Sequence, residues 1–195
     1  MVRIDRVVTR GGDGGDTSLG DGARVRKDAA RVAAMGAVDE ANAAIGVLRA
    51  TGLAEPADAM LARMQNDLFD LGADLCLPQP AGEAPGAALR IASSQVEALE
   101  HAIDALNENL HPLRSFVLPA GTAAAAALHQ ARAIARRAER SMVALAAIEG
   151  EAVSEAALAF INRLSDYLFV AARAANDFGR SDVLWTPGAS QADAR

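Results

Sequence analysis

F-I-N-R-L-S-D-Y-L-F-V-A-A-R-A-A-N, Phe160 to Asn176, is the stretch on which the fold turns. Leu158, Phe160, Ile161, Leu164, Tyr167, Leu168, Val170 and Ala174 take up most of the circumference of a helix here. A helix that is apolar almost all round belongs at the centre of a bundle. Asn162, Asp166, Arg173 and Asn176 form one narrow polar strip on it, and polar groups in such a place need partners. The reading is a fifth helix that opens at Ser154, whose hydroxyl caps it, and runs to about Phe178.

Working outward, Thr122 opens the longest helix, the fourth, which runs to about Glu149 before Gly150. Leu128, Ala131, Ile134, Ala138, Met142, Leu145 and Ile148 share one side, and His129, Arg132, Arg136, Glu139 and Arg140 are expected on the other. Arginines four apart repel by a few tenths of a kcal/mol per pair unless anions sit among them, so this strip is either an anion-binding face or a solvated charged surface. A first helix spans Ala29 to Ala50, with Asp39, Glu40 and Asn42 interrupting its apolar side. A second opens at Pro56 and stops before Pro78, with Met60, Met64, Leu68, Leu71 and Leu75 on one face. Gln79 to Ile91 reads as a loop, and Ser94 with Glu97 as a capping box for a third helix ending at His111-Pro112. Phe116 lies in the turn R-S-F-V-L-P-A-G-T between helices three and four. The expectation is one all-α domain over 1–195, made of a Gly-rich arm (1–28), a five-helix bundle (29–179) and a loose tail (180–195).

The arm, T-R-G-G-D-G-G-D-T-S-L-G-D-G-A-R-V-R-K-D from Thr9 to Asp28, holds six of the sixteen glycines, interleaved with Asp13, Asp16, Thr17, Ser18 and Asp21. Such a backbone turns through positive φ and comes close to a ligand, and bare N–H groups with hydroxyls suit a polyphosphate. It ends in Lys27, the single lysine of an otherwise arginine-only set of basic residues, a compact point charge at one chosen spot. The competing reading is a flexible solvated arm. Neither G-x-x-x-x-G-K-[ST] nor a strand followed by G-x-G-x-x-G is present.

A net charge of -6 excludes a diffuse affinity for nucleic acid or an anionic membrane surface. One cysteine, Cys76, permits no internal disulfide and fits a reducing cytoplasm. No apolar run approaches the roughly 20 residues a bilayer needs, and M-V-R-I-D-R-V-V does not read as an export signal. A di-metal carboxylate bundle fails because Glu-x-x-His appears nowhere, and no histidine has the company that would activate Cys76 or a serine.

Six motifs in order, T-R-G-G-D-G-G-D-T-S-L, R-V-R-K-D, G-A-V-D-E-A-N-A-A-I-G, S-F-V-L-P-A-G-T, R-A-I-A-R-R-A-E-R and the helix-five segment, together resemble the ATP:cob(I)alamin adenosyltransferases of the trimeric five-helix-bundle type, from about Thr9 to Asn176. The resemblance implies transfer of the 5'-deoxyadenosyl group of ATP to reduced cobalt, releasing triphosphate, with Mg2+ accompanying ATP and cobalamin as the second substrate. It implies a homotrimer with sites at subunit interfaces, and a reductase and an adenosylcobalamin-dependent acceptor enzyme as partners. Thr9, Arg10, Gly11, Gly12, Thr17, Ser18 and Lys27 fall where the family wraps ATP, as do Arg136, Arg137, Glu139 and Arg140 on helix four and Asn162 on helix five. Asp39 and Arg132 match a pair placed across a subunit interface near the corrin, and Phe116 matches an aromatic below the cobalt. Gly14, where many members carry Lys, and Asp16, where Thr is frequent, depart from the pattern at a phosphate contact. The competing function is a non-catalytic helical-bundle regulator that binds a nucleotide through the arginine face.

Overall fold

The computed structural model describes residues 8–194. A short antiparallel hairpin, β1 (Asp16–Ser18) with β2 (Arg24–Arg26), precedes five helices: α1 (Ala30–Arg49), α2 (Ala57–Cys76), α3 (Ser93–Asn107), α4 (Ala123–Ala146) and α5 (Glu155–Ala175). A 3-10 turn over Ala189–Ala194 follows. The helices lie in the order α2, α1, α4, α5, α3, with a light contact between α2 and α5. Alanines line the seams: Ala34 on α1, Ala131, Ala135 and Ala138 on α4, and Ala157 and Ala172 on α5 are buried. Small side chains there let the helix axes approach closely, while Leu48, Met64, Leu68, Met142, Phe160 and Leu164 fill the space between seams.

Helices α4 and α5 begin where their caps dictate: the Thr122 hydroxyl accepts from the Ala125 N–H at 3.1 Å and the Ser154 hydroxyl from the Ala157 N–H at 3.1 Å. Helix α3 differs from the sequence expectation. It starts after Ala92, and the Gln95 side chain, not a Ser94–Glu97 box, closes back on the Ala92 N–H at 2.9 Å. It ends at Asn107, a turn before His111. The aperiodic Gln79–Ile91 loop is held by Arg90, which donates to Asp74 at 2.8 Å and to both carboxylate oxygens of Glu83 at 2.8 and 2.9 Å, beside Ile91, which is buried in the core.

Two polar nodes fix the ends of the bundle. At one end the buried Arg31 donates to Glu151 at 3.0 Å and to the Leu75 carbonyl at 2.7 Å, so the start of α1 is tied to the end of α2 and the α4–α5 turn. At the other, fully buried Asn176 accepts from the Thr122 N–H at 3.0 Å and donates to the Ala120 carbonyl at 3.1 Å. Gly121 carries φ +104° directly against it, and a Cβ there would lie 2.2 Å from the Asn176 side chain. Only glycine fits both the backbone angle and the space.

The tail corrects a second expectation. Arg173 donates to Asp182 at 2.8 Å, Leu118 N–H to the Val183 carbonyl at 2.8 Å, and Trp185 N–H to the Phe116 carbonyl at 2.8 Å. The chain just past α5 therefore forms a short antiparallel pairing with the Phe116 turn instead of hanging loose.

Candidate active site

The arm is organised by its own backbone. Lys27 N–H donates to the Gly15 carbonyl at 2.9 Å, Gly15 N–H to the Gly12 carbonyl at 3.2 Å, and the Arg24 guanidinium to the Gly11 carbonyl at 2.9 Å. Folding back this way brings the Lys27 ammonium over the glycine loop: a Cβ on Gly12 would sit 3.0 Å from Nζ. Thr17 pairs with Val25 across the hairpin, and the Ser18 hydroxyl accepts from Arg24 at 3.2 Å. Gly20 N–H donates to the Cys76 carbonyl at 2.8 Å and docks the hairpin on the end of α2. Thr9 and Arg10 are exposed at its edge, Arg10 with φ +60°.

On α4, Arg136 and Arg140 are exposed and have no ion-pair partner among the described residues, whereas Arg137 pairs with Glu40 of α1. The Glu139 carboxylate accepts from the Asn162 amide at 2.8 Å, and the Asn162 oxygen accepts from Arg163 at 2.8 Å, so α4 and α5 share one polar connection. Asp166 is half exposed beside Arg163. Among the described residues no hydrogen bond joins the arm at 9–28 to α4.

Phe116 is 77% exposed. Its ring lies 5.9 Å from that of Trp185 between centroids, and its own carbonyl, the Leu118 N–H after it and the Ser115 hydroxyl before it are bonded to the 183–185 segment, so the exposed aromatic is held rather than free. A pocket of about 490 Å3 opens beside it, walled by Leu113, Val117, Phe169 and Arg132. Arg132 Nε is buried without a partner, and burial, then the charge of Arg136, pushes its pKa down. The carboxylate matched to it, Asp39, lies on a different surface, at the rim of an apolar groove of about 530 Å3 between α1 and α2 that also exposes Phe69. One chain thus brings Phe116 and Arg132 together and leaves Asp39 apart.

His129 departs from its expected place on the arginine face. It is 2% exposed, packed beside Phe169, with neither ring nitrogen partnered among the described residues. Burial, then the charge of Arg132, lowers its pKa from the ordinary histidine value. Trp185 and Phe169 escaped the sequence reading. The one available signal for Trp185 was its being the chain's only tryptophan, with V-L-W as an apolar run in a polar tail.

The family model described as cobalamin adenosyltransferase matches residues 7–175. The chain belongs to the cobalamin adenosyltransferase family. It is 47% identical over 190 residues to the corrinoid adenosyltransferase of Mycobacterium tuberculosis strain H37Rv, covering 96% of each chain. It is 39% identical over 175 residues to that of Bacillus subtilis strain 168, covering 88% of this chain and 86% of the relative. Among solved structures it superposes with TM-score 0.82 and 36% identity on a phenylalanine-to-alanine variant PduO-type ATP:corrinoid adenosyltransferase from Lactobacillus reuteri complexed with cobalamin and ATP, covering 92% of this chain and 99% of that one. An arginine-to-lysine variant of the Lactobacillus reuteri enzyme, complexed with ATP, matches with TM-score 0.81 at 36% identity over 92% of this chain and 100% of that one. Within this family of five-helix adenosyltransferases, the arginine strip of α4 meets the Phe116 pocket at Arg132, and among the described residues the glycine arm makes no hydrogen bond to either.

Proposed function

We propose that this protein transfers the 5'-deoxyadenosyl group of ATP to the cobalt of cob(I)alamin, forming adenosylcobalamin and releasing triphosphate. The observation that carries this reading is Phe116: an aromatic ring 77% exposed yet pinned by backbone bonds beside an apolar pocket, an arrangement that serves a flat hydrophobic occupant such as a corrin. In the reaction the cobalt(I) electron pair attacks C5', the bond from C5' to the triphosphate oxygen breaks, its electrons leave with triphosphate, and cobalt becomes formally cobalt(III). Cobalt is the nucleophile, so no side-chain base or nucleophile is required.

What the protein supplies is orientation and charge stabilisation. Thr9, Arg10, Gly11, Gly12, Thr17, Ser18 and Lys27 wrap ATP from the arm; Arg136, Arg137 and Arg140 neutralise the departing triphosphate, and the Glu139–Asn162 bond keeps α4 and α5 in register around it. Phe116 keeps water and the axial base off the lower face of cobalt. Mg2+ would accompany ATP and offset part of the triphosphate charge alongside Lys27 and the α4 arginines. The working unit is a homotrimer. A carboxylate at Asp39 and a guanidinium at Arg132 on different surfaces, and an arm that among the described residues makes no hydrogen bond to α4 of its own chain, are complementary halves that a cyclic assembly would join. A reductase supplies cob(I)alamin and an adenosylcobalamin-dependent enzyme takes the product, and the half-buried lone Cys76 fits a reducing cytoplasm.

The test is direct. Incubation with ATP, Mg2+ and chemically reduced cobalamin should give the absorbance of a new cobalt–carbon bond, and a spectrum unchanged from the protein-free control would reject the function.

A further inference from the structure

Trp185 is the chain's one tryptophan and stands 44% exposed beyond the last helix of the bundle, so it adds little to the core. Much bonding nonetheless goes into where it sits. Buried Arg173 of α5 donates to Asp182 at 2.8 Å and to the His111 carbonyl at 2.8 Å, so one guanidinium ties down both the chain that leads to Trp185 and the chain that leads to Phe116. From these anchors the two segments run antiparallel. Leu118 N–H donates to the Val183 carbonyl at 2.8 Å, Val117 stands opposite Leu184, and Trp185 N–H donates to the Phe116 carbonyl at 2.8 Å. The Ser115 hydroxyl closes the far end by donating to the Trp185 carbonyl at 2.7 Å. The backbone under the indole is thus fixed against the backbone under Phe116, and the two rings meet at 5.9 Å between centroids with their planes 57° apart, a geometry in which aromatic pairs attract.

A ring as exposed as Phe116 has no core around it to hold its torsions, and exposed side chains hop among staggered rotamers on the ps–ns timescale. The tilted indole is the aromatic neighbour that biases this exchange toward one rotamer. Trp185 does not itself wall the pocket beside Phe116, whereas Phe169, one helical turn before Arg173 on α5, does. The indole therefore reaches an occupant of that pocket through Phe116. We propose that Trp185 is a positioning residue for adenosyl transfer: its indole holds the Phe116 ring in the rotamer that covers the lower face of cobalt, and so favours the one-electron step from cob(II)alamin to cob(I)alamin, for which the reductase supplies the electron. The proposal rests on the adenosyl-transfer reading above and gives the chain after α5 a part in the reaction as well as in the fold.

Trp185→Ala and Trp185→Phe are assayed beside the wild type for adenosylation from cob(II)alamin with a chemical reductant and from pre-reduced cob(I)alamin. Removing the indole should slow turnover from cob(II)alamin about fivefold, the worth of one aromatic pair read as a rate, and should leave the rate from cob(I)alamin nearly unchanged. Trp185→Phe keeps a ring and should recover most of the loss. In a Phe116→Ala background Trp185→Ala should cost nothing further, because a positioning residue then has nothing to hold. A purely structural role would instead slow both cobalt states alike and add to the Phe116→Ala loss. The ring contact is also tested without activity and without a change at 185: acrylamide should quench the fluorescence of the single tryptophan more strongly in Phe116→Ala than in the wild type, which decides the case if the Trp185 variants do not fold. The proposal is overturned if Trp185→Ala matches the wild type from cob(II)alamin, if it loses equally from both cobalt states, if its loss persists in the Phe116→Ala background, or if quenching is the same with and without the Phe116 ring. A wild type inactive from cob(I)alamin removes the adenosyl-transfer reading and the proposal with it, a failure that the wild-type rate tells apart from the proposal's own.

Discussion

Phe116→Ala separates a ring that serves the substrate from one that serves the fold. A fully buried Phe→Ala change costs about 3–5 kcal/mol. Phe116 is 77% exposed, so only about a quarter of that transfer and cavity loss applies, roughly 1 kcal/mol. Loss of the tilted contact with Trp185, at 5.9 Å, brings the total to about 1–2 kcal/mol. For a chain of this length that is a fall in Tm of about 2–8 °C. Catalysis should respond much more strongly. Without the ring, water or the axial base reaches the lower face of cobalt, the metal becomes harder to reduce, and turnover from cob(II)alamin should drop at least about tenfold, equivalent to 1.4 kcal/mol or more in the barrier. Starting from pre-reduced cob(I)alamin should recover part of the rate, because the difficult step has been done. The assay pairs a circular-dichroism melt with initial rates from both cobalt oxidation states. Full activity from cob(II)alamin, or a melt lowered by 15 °C or so, would refute the placement of this ring under the corrin.

Arg136→Ala should raise the KM for ATP at least about tenfold with an unchanged melt, since Arg136 is exposed and makes no ion pair among the described residues; an unaltered KM would return the strip to solvated surface. Gly121→Ala should lower stability by about 2–4 kcal/mol in a urea titration, because φ +104° and a Cβ 2.2 Å from Asn176 cannot both be accommodated, and a loss below about 1 kcal/mol would mean that the turn simply relaxes. His129 has a folded-state pKa depressed below its unfolded value of about 6.5, so the unfolded chain binds more protons; stability should therefore fall as pH drops below about 6.5, and His129→Phe should flatten that stretch of the profile. Light scattering should give three chain masses at micromolar concentration, and a monomer there would contradict the interface reading of Asp39 and Arg132.

The helices were legible in the sequence because burial repeats with helical period. The Thr122 and Ser154 caps were legible because a hydroxyl three residues before a free N–H has one obvious use. Helix α3 was misread at its start because its first two residues, Ser93 and Ser94, are both good caps by type, yet a glutamine, not either serine, closes the turn on Ala92. His129 was placed on the wrong face for a physical reason: α4 packs against α1 and α5 together, so its buried arc is wider than one stripe and takes in the neighbour of Leu128. The role of residues 183–185 was hidden because their pairing is with the Phe116 turn, some 65 to 69 residues earlier. The arm, Asp39 and the α4 arginines were recognisable as motifs, but the chain's own contacts among the described residues do not bring them together; in the proposed trimer their joining would fall between chains, which periodicity does not express.

The most direct measurement is the identity of the phosphate product. Adenosyl transfer to cobalt breaks the bond at C5' and leaves all three phosphates together, so quenched reactions with ATP and cob(I)alamin, resolved by 31P NMR, should show intact triphosphate in one-to-one ratio with light-sensitive adenosylcobalamin. Diphosphate or orthophosphate as the initial product, or triphosphate formed without a cobalt–carbon bond, would contradict the account.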